Sequence, residues 1–73
     1  MIDRDNALAQ VERLITEGKK RNARQREVVA NAFQEGRETE VPVSMLRAFE
    51  ASLQAFERHR QFILDWQKKQ KRR

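Results

Sequence analysis

Taken at 100° per residue, the apolar positions of the first half of the chain keep one phase. Leu8, Val11, Leu14, Ile15, Val28, Val29, Ala32 and Phe33 fall within an arc of about 160°. Inside that arc runs a narrower seam, Leu8, Val11, Ile15, Gly18, Asn22, Gln25, Val29 and Ala32, with spacings that alternate three and four. The seam holds its phase through a polar middle at Gly18, Asn22 and Gln25, which two independent short helices would have no reason to do. One helix over about residues 4–35 is therefore expected, Gly18 costing about 1 kcal/mol relative to alanine. A break or kink at Gly18-Lys19 is the alternative.

The second half has a wider apolar surface. Phe49, Phe56 and Ile63 recur every seventh residue, and Met45, Leu46, Leu53 and Leu64 lie within about 60° of Phe49. A further face carries Ala48, Ser52, Ala55, His59, Phe62 and Trp66. The combined arc of about 200° is more than one neighbouring helix covers. A helix over about residues 43–69 is expected, followed by a frayed basic tail at 70–73.

Gly36 and Pro42 bracket the one stretch with the character of a loop, placed at 36–42. Gly36 suits the left-handed conformation that ends a helix. Pro42 pushes Val41 away from the helical region and suits the first turn of a new helix, with Ser44 an alternative cap.

These elements make an all-α fold, a hairpin of two long antiparallel helices forming a single domain over 1–69. One inter-helix seam in so short a chain stabilises little. The wide arc of the second helix points to a remedy, two hairpins dimerising into a four-helix bundle. The residues expected in the core or at the dimer interface are Leu8, Val11, Leu14, Ile15, Val29, Phe33, Met45, Leu46, Phe49, Leu53, Phe56, Phe62, Ile63 and Trp66. Phe62 and Trp66, one turn apart, are alternatively a contact site for another protein. In topology alone such a hairpin dimer resembles small plasmid-encoded RNA-binding helical-hairpin regulators. No motif of theirs maps onto these residues, so nothing of their sites carries over.

Composition narrows the functional classes. The 73 residues hold no cysteine, two glycines and one proline, with 37% charged and 38% apolar side chains. A disulfide scaffold and a thiolate zinc site are thereby excluded, and so is a glycine-rich phosphate loop. No apolar run approaches a membrane span and Met1-Ile2-Asp3-Arg4-Asp5 is no signal peptide, so a cytoplasmic protein is expected. His59, the single histidine, has Ala55, Phe62 and Trp66 at helical spacing and no second ligand, so it is read as a packed residue and not a metal ligand. The hydroxyls Thr16, Thr39, Ser44 and Ser52 pair with no base and orienting acid. No catalytic residue, metal, cofactor or small-molecule substrate is expected.

The formal charge of +5 is unevenly spread. Residues 1–18 sum to −2, residues 27–40 to −3 and residues 41–57 to −1, whereas 19–26 reach +5 and 58–73 reach +6. Folding at the loop brings the basic end alongside Asp3, Asp5, Glu12 and Glu17, setting register more than stability. The cluster Lys19, Lys20, Arg21, Arg24 and Arg26 reads as a solvated face, as a nucleic-acid footprint, or as an anionic-membrane surface. For the second reading, Arg13, Lys20 and Arg24 line one outward stripe and Arg58 is expected beside it. The tail Lys68, Lys69, Lys71, Arg72 and Arg73 would tether phosphate loosely. Against it, no exposed aromatic stacks on that stripe and no known nucleic-acid motif is present. The membrane reading fares worse, because the aromatics lie on the other helix.

Arg60 stands near the centre of the second apolar stripe and is expected opposite residues 18–22. There it either joins Asn22 and Gln25 in a buried polar layer that fixes register, snorkels to solvent, or holds a ligand. The functional expectation is a non-enzymatic interaction or adaptor protein that self-associates and shows a charged surface to a macromolecular partner. A nucleic-acid-binding regulator using the basic band is the alternative.

Overall fold

The computed structural model describes residues 4–71, and side chains over 6–70. Two helices make up the fold, α1 over Arg4–Gln34 and α2 over Glu40–Lys71, antiparallel and packed along their length. The hairpin is a rod of 60 × 17 × 14 Å.

The expected seam is the buried one. Val11 and Ala32 are 2% exposed, Ile15, Gly18, Asn22 and Gln25 are buried with them, and Leu8 and Val29 are half-buried. From α2, Ile63 is buried and Leu46, Phe49, Leu53, Phe56 and Leu64 are half-buried. Val11, Ile15 and Ile63 form the core, with Ala7, Leu8, Leu53 and Phe56 packed against them. α1 passes through Gly18 without a break. A Cβ built on Gly18 would stand 3.2 Å from Leu53 Cδ1, so the glycine is where the leucine of α2 sits down on α1. The conformational entropy lost at that glycine is offset by close approach of the helices.

α1 ends in a Schellman motif. Gly36 takes the left-handed conformation (φ 68°). Its amide donates to the Phe33 carbonyl at 3.2 Å, and the Arg37 amide donates to the Ala32 carbonyl at 2.8 Å. Two of the carbonyls that a helix end leaves unpaired are thus satisfied.

α2 starts at Glu40, about one turn before the expected residue 43. Pro42 lies inside its first turn and Val41 is helical, contrary to the expectation that proline would hold Val41 out. The reason is that a first-turn amide has no partner within the helix, so proline loses nothing there. The Val43 amide makes the first helical bond, to the Thr39 carbonyl at 3.0 Å. The cap is neither Ser44 nor the Thr39 hydroxyl. The Val41 amide donates to Glu38 Oε1 at 3.1 Å, and Glu40 adds a second negative charge at the positive end of the helix dipole. At the other end α2 runs on to Lys71, past the expected limit of 69, while Arg72 and Arg73 lie outside the described residues.

The polar middle of the seam is only partly satisfied. Gln25 Nε2 donates to the Pro42 carbonyl at 2.8 Å, tying α1 to the start of α2. Asn22 is 3% exposed and its Oδ1 accepts no hydrogen bond. Leaving such a group dry costs about 1–3 kcal/mol.

Asn22→Leu is accordingly expected to raise the unfolding free energy by about 1–2 kcal/mol in urea titration. A clear loss of stability would mean that this amide has a partner that the single hairpin does not supply. Gly36→Ala is expected to cost about 1–2 kcal/mol through the left-handed backbone. No loss in the same titration would contradict the Schellman assignment.

Candidate interaction surface

The two helices set the two broad sides of the rod apart. On one side lie Glu12, Lys19, Glu57 and Arg60, around an open cleft of about 500 Å³. Arg60 Nε meets Glu12 Oε2 at 3.3 Å across the helices, with both side chains substantially exposed (41% and 49%). Two acids and two bases balance there, and the cleft favours ligands of neither sign.

This pairing corrects the expected polar layer. Asn22 and Gln25 are buried as a polar pair of positions, but Arg60 bonds to neither of them. The register is fixed by Leu53 against Gly18 and by Arg60 against Glu12. It places Arg60 about two turns nearer the start of α1 than the expected 18–22. The early start of α2 and the short turn cause the shift. Arg60 lies along the helix surface with its head in solvent and in reach of a carboxylate.

The other side is different in kind. On α2, Val41, Met45, Ala48, Ser52, Ala55, His59, Phe62 and Trp66 recur at spacings of four and three. This second seam stands about 100° from the one that meets α1, and every member is exposed on the single chain. Phe62 is 66% exposed. None of the eight is Asp, Glu, Lys or Arg. Leu14 and Val28 of α1 are also exposed, and the handedness of antiparallel helices turns them to this same side. Of the residues expected in a core or interface, Leu14, Phe33, Met45, Phe62 and Trp66 are thus exposed on the single chain.

The surface area expresses the same imbalance. The chain exposes 6124 Å², whereas a compact monomer of 8.7 kDa exposes about 4,700 Å². Its radius of gyration is 16.8 Å against about 11 Å for a globular chain of this length. The excess of about 1,400 Å² is larger than the roughly 800 Å² that each partner buries in a standard protein interface.

The basic residues lie at the surface of the rod. Arg13, Lys19, Lys20, Arg21, Arg24, Arg26, Arg58, Lys68 and Lys69 are all exposed. The side chain of Lys71, like Arg72 and Arg73, lies outside the described side chains. Arg21 is engaged, its guanidinium 5.4 Å from the centroid of the Phe49 ring. Lys19, Lys20, Arg24 and Arg26 form no ion pair among the described residues, the pairs there being Arg37–Glu35 and Arg60–Glu12. Arg58 does not arrive beside Lys20 and Arg24. The register sets it level with Arg13, about 10 Å further along. It also projects from the outer edge of α2, not that of α1.

Among the described residues no group of three or more His, Asp or Glu is placed to hold a metal ion. Among the described residues no helix is long and apolar enough to cross a membrane. No family model, curated protein or solved structure matches the chain.

The exposed Glu12–Arg60 pair is expected to couple by less than about 1 kcal/mol in a Glu12→Ala, Arg60→Ala double-mutant cycle, and to lose that coupling in 1 M salt. A coupling of several kcal/mol that persists in salt would mean that the pair is desolvated.

Proposed function

We propose that this chain is a small non-enzymatic interaction protein. Two hairpins associate into a four-helix bundle, and the assembly presents its charged outer edges to a macromolecular partner. The observation that carries the reading is the uncharged seam of α2 left bare on a rod with about 1,400 Å² of surplus surface. A dimer removes that seam from water and leaves the lysines and arginines outside. The lack of cysteine fits work in a reducing compartment such as the cytoplasm.

A second reading is favoured by one specific feature. Lys19, Lys20, Arg24 and Arg26 are exposed cations without ion-pair partners, within a stretch that contains no acid. Phosphate is the chemistry they would neutralise, which makes a nucleic-acid-binding regulator the alternative.

Sedimentation equilibrium at tens of micromolar chain is expected to return twice the 8.7 kDa chain mass. A monomer at that concentration would overturn the proposal. Mobility shifts with a duplex DNA and an RNA hairpin across a salt series separate the two readings. No shift at any salt supports a protein partner. A shift that weakens steeply with salt and disappears in Lys20→Glu/Arg24→Glu would replace the adaptor reading with the nucleic-acid one.

A further inference from the structure

We infer that the bare seam of α2 is covered by the same seam of a second copy, the two α2 helices antiparallel about a two-fold axis near Leu53 and Gln54. This rests on the self-association proposed above and adds to it a face and a direction.

The first argument is the distribution of side-chain size along the seam. Ala48, Ser52 and Ala55 occupy its middle, Val41 and Met45 one end, and the rings of His59, Phe62 and Trp66 the other. An antiparallel pair sets the small middles against each other, so the helices approach closely at the axis. Met45 then meets Phe62 of the second copy, and Val41 meets Trp66, a smaller side chain against a ring each time. A parallel pair would instead stack Phe62 on Phe62 and Trp66 on Trp66. Those rings would wedge one end apart and leave the small middle unfilled, forfeiting contacts that close packing requires.

Charge selects the same direction. Residues 58–73 sum to +6. Parallel helices would lay two such ends side by side. In the antiparallel pair the end carrying Lys68 and Lys69 comes level with the turn of the second copy, where Glu35, Glu38 and Glu40 are exposed. The opposite broad side of the hairpin, with Glu12, Lys19, Glu57 and Arg60, offers no comparable apolar area. The hairpin exposes about 1,400 Å² more than a compact chain of its mass, surface that association with a second copy can reduce.

The absence of native cysteine allows a single label to be placed cleanly. Lys69→Cys, exposed and past the last member of the seam at Trp66, is modified with a nitroxide and the distance between the two labels of the assembly is measured by pulsed dipolar spectroscopy. The antiparallel pair predicts a separation of about 45 Å or more, from the rise along two α2 helices. A distance below about 25 Å would mean parallel helices, overturning the inference while the self-association stands. No dipolar coupling, with a monomer mass, would end both. The face is tested by Ser52→Arg, which sets a charge at the axis and is expected to weaken the dimer at least 100-fold. Gln61→Arg, on the other broad side, is expected to leave it within about threefold. A Ser52→Arg chain that stays dimeric at low micromolar concentration would overturn the assignment of the face.

Discussion

A helix can turn only part of its circumference toward one neighbour, and α2 carries more apolar surface than that. Its residues Leu46, Phe49, Leu53, Phe56 and Ile63 face α1, while Met45, Phe62 and Trp66, one step around the helix, remain substantially exposed. The covered seam explains why the chain folds back on itself at Gly36. The bare one explains why the hairpin alone is an extended rod with an apolar core confined to Val11, Ile15 and Ile63 and their neighbours. A core of that size contributes only a few kcal/mol in so small a chain. Burial of the second seam is where further stabilisation is to be had. The proposed association, the proposed face and the placement of charge on the outer edges all follow from this one mismatch.

The seam between α1 and α2 is itself a compromise between closeness and polarity. Gly18 lets Leu53 approach to where a Cβ would crowd it, and Gln25 reaches the Pro42 carbonyl across the gap. Asn22, between them, is buried with an unsatisfied oxygen. An apolar residue at 22 would pack better, but a polar one narrows the number of registers in which the helices can sit, because a slip buries it somewhere worse. A long hairpin whose apolar residues repeat every seven positions has several near-equivalent registers a heptad apart. Polar residues at 22 and 25 remove that degeneracy.

What was legible in the sequence and what was not divides along a physical line. Periodicity reports the angle at which a side chain leaves its helix, so the faces were readable. The chain of threes and fours from Leu8 to Ala32 became the buried stripe, and Gly36 the left-handed residue at the end of α1. Periodicity says nothing of how far one helix slides along the other. That depends also on the turn, and here a carboxylate helps to set where α2 begins. Glu38 caps the Val41 amide and Pro42 tolerates the first turn, so α2 begins at Glu40. The early start of α2 and the short turn together place Arg60 beside Glu12, about two turns from its expected position, and set Arg58 away from the Lys20–Arg24 stripe. A signal for the early start was present in Glu38 and Glu40 ahead of Pro42, acids at the place where a helix dipole favours them. The bare face was legible as an arc too wide for one neighbour, but which way a second copy lies on it depends on the order of side-chain sizes along the seam.

The dependence of folding on association can be measured without any mutation. If the second seam of α2 has to be covered for the hairpin to be stable, the thermal midpoint followed by helical circular dichroism rises as chain concentration rises from about 1 to 100 μM, by mass action. A midpoint that stays constant across that range, with full helicity at the dilute end and a monomer mass, would contradict the claim that this fold is completed by a second copy of itself.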